Sequence, residues 1–335
     1  MIIIYLAAFY LITNLAGILI EKIRIPRIYA ALFLGVLLSS TTWVLNIVSL
    51  DAFKLLSQVG MFSLLFLLGS GLDVKKLRQQ SRLIVRTTTY VILSEFSVGI
   101  LILHFIFGVS WVLAGIIAIS FATVGEIALL PLLKEFKIIN TDLGQTILGV
   151  AILDDITEIL AFILMLAFVS GLHYTELFNE ALPLTAIALG VVFKNLSRAS
   201  QKFDKSVDFL ALYVFGPIFF FTAGTEADLK ILLDNFLLIL IFTLIIKATK
   251  ILSSYAASHK QLGTKKSIVL GVSLGIKFST SIVLLIILLQ KNLITQELFS
   301  ILIGIKVVFK FILPIILSFL LNRWSLELVR TDKQK

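Results

Sequence analysis

The sequence predicts an all-α polytopic membrane protein of about eleven transmembrane helices, in two inverted-topology repeats with discontinuous crossing helices. Three observations lead there. The chain of 335 residues is 59% hydrophobic and only 15% charged, with mean hydropathy +1.06, where a soluble domain carries about a quarter charged residues. Its apolar stretches alternate with short loops whose basic residues fall on one side. A glycine–acid motif recurs at an offset of 155 residues.

Apolar windows of about 20 residues fall near 2–20, 28–48, 53–71, 85–107, 111–133, 143–170, 180–196, 207–224, 232–254, 267–289 and 297–321. The first lacks a positive n-region and a cleavage site, so it reads as a retained helix rather than a signal peptide. The connections at 21–27, 72–86, 134–142, 194–208 and 255–266, with the tail after 321, hold 21 Lys/Arg; the opposite connections hold only Lys54, Lys230 and Lys291. Positive loops stay in the cytoplasm, so the N-terminus is expected outside and the C-terminus inside a bacterial cytoplasmic (inner) membrane. That distribution accounts for the net charge of +9 without nucleic acid.

The third span ends in Leu67-Leu68-Gly69-Ser70-Gly71-Leu72-Asp73 and the eighth in Thr222-Ala223-Gly224-Thr225-Glu226-Ala227-Asp228. An odd number of spans separates them, so the copies cross in opposite directions, as in transporters built from inverted repeats. Turn chemistry at a helix end is the plainer reading of the same residues. The expected organisation is residues 1–170 as a first repeat of six helices, 171–322 as a second of five, and 323–335 as a cytoplasmic tail. Spans five and ten carry Thr123-Val124-Gly125 and Ser279-Thr280-Ser281 at their centres, candidate breaks that would offer carbonyls at the midplane.

Inside the spans, away from their ends, lie five acids, Glu95, Glu126, Asp154, Asp155 and Glu158, and five bases, Lys247, Lys250, Lys277, Lys306 and Lys310. The acids all belong to the first half and the bases to the second. A carboxylate at the bilayer centre costs about 2.5–3.5 kcal/mol even on insertion scales. Adjacent Asp154 and Asp155, with Glu158 one turn on, therefore point to a bound cation or proton. The plainer reading of the other charges is a set of structural ion pairs. Cys is absent, so thiol chemistry is excluded, and no phosphate loop, nucleophile elbow or metal-ligand spacing supports an enzyme or a cofactor. The three histidines, His104, His173 and His259, are scattered at span ends and loops.

The stretches Leu64–Asp73, Gly149-Val150-Ala151-Ile152-Leu153-Asp154-Asp155-Ile156 and Gly216-Pro217-Ile218-Phe219-Phe220-Phe221 resemble those of bacterial monovalent cation:proton antiporters, the group of sodium/proton antiporters and glutathione-gated potassium efflux systems. Weaker matches are Lys250-Ile251-Leu252-Ser253 and Gly271-Val272-Ser273-Leu274. The resemblance implies alternating access at one site, a homodimer, and Na⁺ or K⁺ with protons as the partners exchanged. It makes Asp154 and Asp155 the ion and proton carriers, Lys250 their charge partner and Thr123 the threonine of a helix crossing. Within it we expect Asp155 to bind the cation directly and Asp154 to pair with Lys250, with Glu126, Glu158 and Lys277 as auxiliary groups. A gated potassium efflux pathway and a non-transporting accessory or sensor subunit are the alternatives on this scaffold. Departures from the family are a chain shorter by about two helices, Ile276-Lys277-Phe278-Ser279 in place of its Pro-Arg-Gly-Glu-like stretch, and the extra charges Glu126, Glu158, Lys306 and Lys310.

Overall fold

A computed structural model of the chain describes residues 2–22, 27–71, 81–122, 133, 138, 141–154, 163–164, 177–196, 206–275, 281–308 and 312–324. Among them every regular element is a helix. Four of these helices, Asp51–Ser70, Arg82–Phe105, Ser206–Thr225 and Phe236–Leu274, are long and apolar enough to cross a membrane. The stripe Leu11, Leu15 and Leu19 on the first helix is exposed. Such a stripe suits lipid rather than water.

The chain forms two compact units, Met1–Val74 with Ile159–Ile241 and Thr280–Val307, and Lys75–Glu158 with Phe242–Ser279 and Val308–Lys335. Each unit draws segments from both halves of the sequence.

The first unit contains α1 (Ile2–Glu21), α2 (Ile28–Leu38), α3 (Thr42–Val48) and α4 (Asp51–Gly71). The expected second span, 28–48, is thus two helices. The cause is the hydroxyl run Ser39-Ser40-Thr41-Thr42: Ser39 Oγ donates to the Val36 carbonyl at 2.8 Å and Thr41 is extended at φ −93°, ψ 110°. Serine and threonine compete with the helix for its own backbone groups in this way.

Close backbone approach holds this unit together. Helix α2 packs on residues 216–225, and α4 on 177–196. A Cβ added at Gly35 would collide with the Phe221 carbonyl oxygen, and one at Gly224 with that of Leu32. At the other crossing, a Cβ at Gly190 would collide with the Phe66 oxygen and one at Gly69 with that of Ile187. These four contacts share one register. Adding 155 to Gly35, Leu32, Phe66 and Gly69 gives Gly190, Ile187, Phe221 and Gly224. One crossing therefore becomes the other when the halves are exchanged. Gly60, tight against the Phe215 oxygen, meets its own counterpart 155 residues on. Around these glycines Phe9 lies edge-on to Phe221 at 5.1 Å and to Phe53 at 6.0 Å.

The segment Ser206–Thr225 is π-helical over Leu210–Phe215, where the Gly216 amide bonds five residues back to the Ala211 oxygen. Pro217 follows and has no amide to donate. The Tyr10 hydroxyl donates to the Val214 oxygen in this stretch at 2.5 Å. After Thr225 the Asp228 carboxylate accepts from the Lys230 and Ile231 amides at 2.7 and 3.3 Å, capping the short helix Leu229–Asp234. Turn chemistry is therefore one role of this acid. Its counterpart Asp73 lies outside the described residues.

The second unit is built on α5 (Arg82–Phe105), α6 (Trp111–Ala122), the helical residues 142–154, and most of the 39-residue helix α11 (Phe236–Leu274). Between α6 and α11 the chain contributes α7 (142–154), α8 (Leu177–Leu196), α9 (Ser206–Thr225) and α10 (Leu229–Asp234); beyond it come α12 (Ser281–Gln290), α13 (Gln296–Val308) and α14 (Ile312–Arg323). The loop expected at 255–266 is almost wholly helical. Only Gly263, at φ 78° and ψ 167°, leaves the helix and reverses the chain, a conformation open to glycine alone at little cost. The arms run back along each other: Ser258 donates to Ser267 at 2.8 Å, and a Cβ on Gly271 would come within 2.7 Å of the Ile251 Cα. Gly115 of α6 lies against Phe96 of α5, and Phe96 precedes Ile251 by 155 residues.

A buried acid–base cluster as candidate functional site

Three charged side chains of the second unit are withdrawn from solvent. Glu95 and Asp154 are 1% exposed and Lys250 is wholly buried. Glu95 projects from the middle of α5, Asp154 from the end of α7 as described, and Lys250 from the first arm of α11.

Lys250 Nζ lies 2.9 Å from Glu95 Oε2 and donates to the Leu274 carbonyl at 3.3 Å. Lys247, one turn earlier on the same face and half-buried, donates to the Gly275 carbonyl at 3.1 Å. Leu274 is the last residue of α11, and the Gly275 amide tightens that end by bonding to Val272 at 3.0 Å. Carbonyls at a helix C-terminus have no partners within the helix and carry its partial negative charge. Two ammonium groups on one arm of the hairpin thus satisfy the end of the other. The residues that follow, 276–280, are undescribed, and helix resumes at Ser281.

Each of these ions would be costly if buried alone. The Glu95 carboxylate and the Leu274 carbonyl together compensate Lys250, and that mutual compensation permits a buried ammonium at all. Asp154 adds a second buried carboxylate to the unit, on a helix whose preceding turn, Val150 and Ala151, is also buried. Chemically the cluster offers a carboxylate able to take either a proton or a metal cation, and fixed lysines that hold a helix end.

Of the residues singled out by sequence, the structure places Asp154 and Lys250 in this unit. Asp155, Thr123, Glu126, Glu158 and Lys277 lie outside the described residues. The sequence reading pairs Lys250 with Asp154; the structure shows Glu95 as an ion-pair partner of Lys250. The sequence reading leaves Glu95 among the structural charges, yet it carries a signal: Glu95 and Lys250 are 155 residues apart, the offset of the glycine motifs.

In the first unit a cavity of about 430 Å³ is lined by Ser57, Gln58, Thr222, Glu226, Gln290 and Lys291 among apolar neighbours. Glu226 is open to water on one side, and burial against the rest of the wall raises its carboxyl pKa above the ordinary value. A raised acid favours the folded state while protonated and loses that contribution as pH climbs through its folded pKa. Glu226→Gln should therefore melt like the parent protein below about pH 4, near the ordinary glutamate pKa. It should become the more stable of the two above that range, with the gap persisting to pH 8. Thermal melts in detergent across that range check this; a gap that closes with rising pH contradicts it.

Comparison with known proteins places these features. The family model described as "Sodium/hydrogen exchanger, transmembrane" matches residues 8–182 and 158–323. A Na⁺/H⁺ antiporter of Enterococcus hirae is 24% identical over 371 aligned positions, covering 92% of this chain and 94% of its own. A probable Na⁺/H⁺ antiporter of Methanocaldococcus jannaschii is 23% identical over 376 positions, with 94% and 96% covered. The solved structure of the sodium proton antiporter MjNhaP1 from that organism, at pH 8, superposes with a TM-score of 0.63 over 97% of both chains at 14% identity, a likeness of fold. The chain is a multi-pass membrane protein and belongs to the sodium/hydrogen exchanger family.

Proposed function

We propose that this protein exchanges Na⁺, or K⁺, for protons by alternating access, its carboxylates at 154 and 155 binding cation and proton competitively. The observation that carries the reading is Asp154, a carboxylate 1% exposed within a helical unit of a chain in this family. The antiporters of E. hirae and M. jannaschii are named for the same exchange. Either carboxylate can hold a proton or a cation on the same oxygens. An arriving hard cation, which prefers oxygen ligands, then displaces that proton, so each ion excludes the other.

The helix bounds support an inverted repeat behind the alternation. Shifting α4, which starts at Asp51, by 155 residues gives the start of α9 at Ser206. The glycine crossings of the first unit exchange under the same shift. Spans two to six then correspond to seven to eleven, leaving α1 without a counterpart, in keeping with six helices against five. The loop charges assign the ends that line the 430 Å³ cavity to the outer face, where an aqueous vestibule is required. They likewise put the C-terminus in the cytoplasm.

Everted vesicles carrying a pH-sensitive dye test this. Addition of Na⁺ or K⁺ should dissipate an imposed proton gradient, and Asp155→Asn should lower that exchange at least tenfold with the protein still inserted. Normal exchange by Asp155→Asn removes the assignment.

A further inference from the structure

Contacts in this protein fall into two kinds under the 155-residue shift. Gly35 on Gly224 is a pair that the shift turns into a different pair, Gly190 on Gly69. Glu95 on Lys250, at 2.9 Å, is a pair that the shift maps onto itself. The distinction matters for a transporter whose two access states arise when repeats swap conformations. A contact between non-equivalent positions changes identity in that swap. A contact between a residue and its own counterpart lies on the symmetry axis and has the same geometry before and after.

We propose that Glu95 and Lys250 form such a self-equivalent ion pair, closed in both access states, and that Glu95 is a positioning residue for Lys250 rather than a carrier. The inference rests on the antiporter reading above.

Two further observations fit it. Both side chains are withdrawn from solvent, so neither is set to exchange ions with an aqueous phase. Lys250 is held from a second direction by the Leu274 carbonyl, so Glu95 fixes the ammonium that in turn fixes the end of a helical arm. One feature argues for the opposing role. Glu95 Oε1 is buried and accepts no hydrogen bond among the described residues, as a carboxylate awaiting a cation would. The experiment therefore sets pin against carrier.

The chain contains no cysteine, so Glu95→Cys/Lys250→Cys introduces the only two thiols. In proteoliposomes, exchange is measured for the wild type, for each single variant and for the pair, before and after treatment with a short bis-methanethiosulfonate linker. A static pair predicts three results. Each single variant, leaving one buried charge unmatched, loses at least tenfold. The double variant recovers at least tenfold over the worse single variant, with the wild-type pH midpoint and apparent KM for Na⁺. Linking the thiols then leaves at least half of its rate. A double variant no better than the singles, a shifted pH midpoint, or arrest on linking overturns the proposal and makes Glu95 a carrier or a moving contact. Wild-type protein that exchanges nothing defeats the antiporter reading itself. In that case the end-point yield of linked protein decides, since the rate itself rises with the thiolate fraction: a yield that differs between pH 6 and pH 8.5 overturns the static pair, and an equal yield upholds it.

Discussion

Gly224→Ala is expected to destabilise the protein by about 1–3 kcal/mol, the usual cost of forcing added volume into a packed interior. The new methyl group would collide with the Leu32 carbonyl oxygen and lie 2.9 Å from the Val36 amide nitrogen. Both obstacles are backbone, in a helix that packs along its length on the one carrying Gly224, so neither can step aside as a side-chain tip would. Gly69→Ala should cost a similar amount for the same reason, since its methyl would meet the Ile187 carbonyl at the equivalent crossing. Gly115→Ala is the control. Its nearest neighbour stands at 3.7 Å, so the methyl fits, and helix propensity alone favours alanine by up to about 1 kcal/mol. Thermal unfolding in detergent, followed by tryptophan fluorescence, ranks the three. Equal melting of Gly224→Ala and Gly115→Ala would show that the crossing is looser than these contacts imply.

Those glycines also mark how far the sequence could be read. The motif around Gly69 and Gly224 was visible as a repeat, because an offset of 155 residues and a Gly-x-x-x-Asp pattern need no coordinates. That the glycines touch across helices was not visible, since hydropathy reports a helix but not its neighbours. The same limit hid the break between α2 and α3. Both pieces are apolar enough to read as one span, and the hydroxyl run Ser39–Thr42 interrupts the ladder through hydrogen bonds that a hydropathy window averages away. The helical reversal at Gly263 reads as a loop because Lys260, Lys265 and Lys266 make the stretch polar, although polarity and helicity are independent. A charge embedded in an apolar span, by contrast, stands out against its background, so Asp154 and Lys250 are legible in the sequence as buried charges. The contact of Lys250 with Glu95 is harder to read. Helical spacing along one helix favours no partner on another, and the sign that marks Glu95 in the sequence is its register with the lysine.

Lys250→Met should be more damaging still, costing about 3–5 kcal/mol, as removal of one partner from a buried ion pair does. Methionine is close to lysine in length and fills its slot, so packing is nearly conserved and the loss is electrostatic. Glu95, 1% exposed, is left as a carboxylate without its counter-ion, and the Leu274 carbonyl loses the ammonium that donates to it at 3.3 Å. Glu95→Leu strands the ammonium instead and should cost a comparable amount. Removing both charges is a different matter. Neither desolvation cost then remains, and a well-packed apolar replacement of a buried pair is often neutral or stabilising by about 1–4 kcal/mol. The double variant Glu95→Leu/Lys250→Met should therefore unfold near the wild-type temperature, giving a large coupling energy in a double-mutant cycle. If the single losses instead add in the double variant, the two side chains stabilise the protein independently, and the 2.9 Å contact contributes nothing to the fold. Strong coupling would mean that the lysine needs the glutamate in order to be tolerated at this buried position.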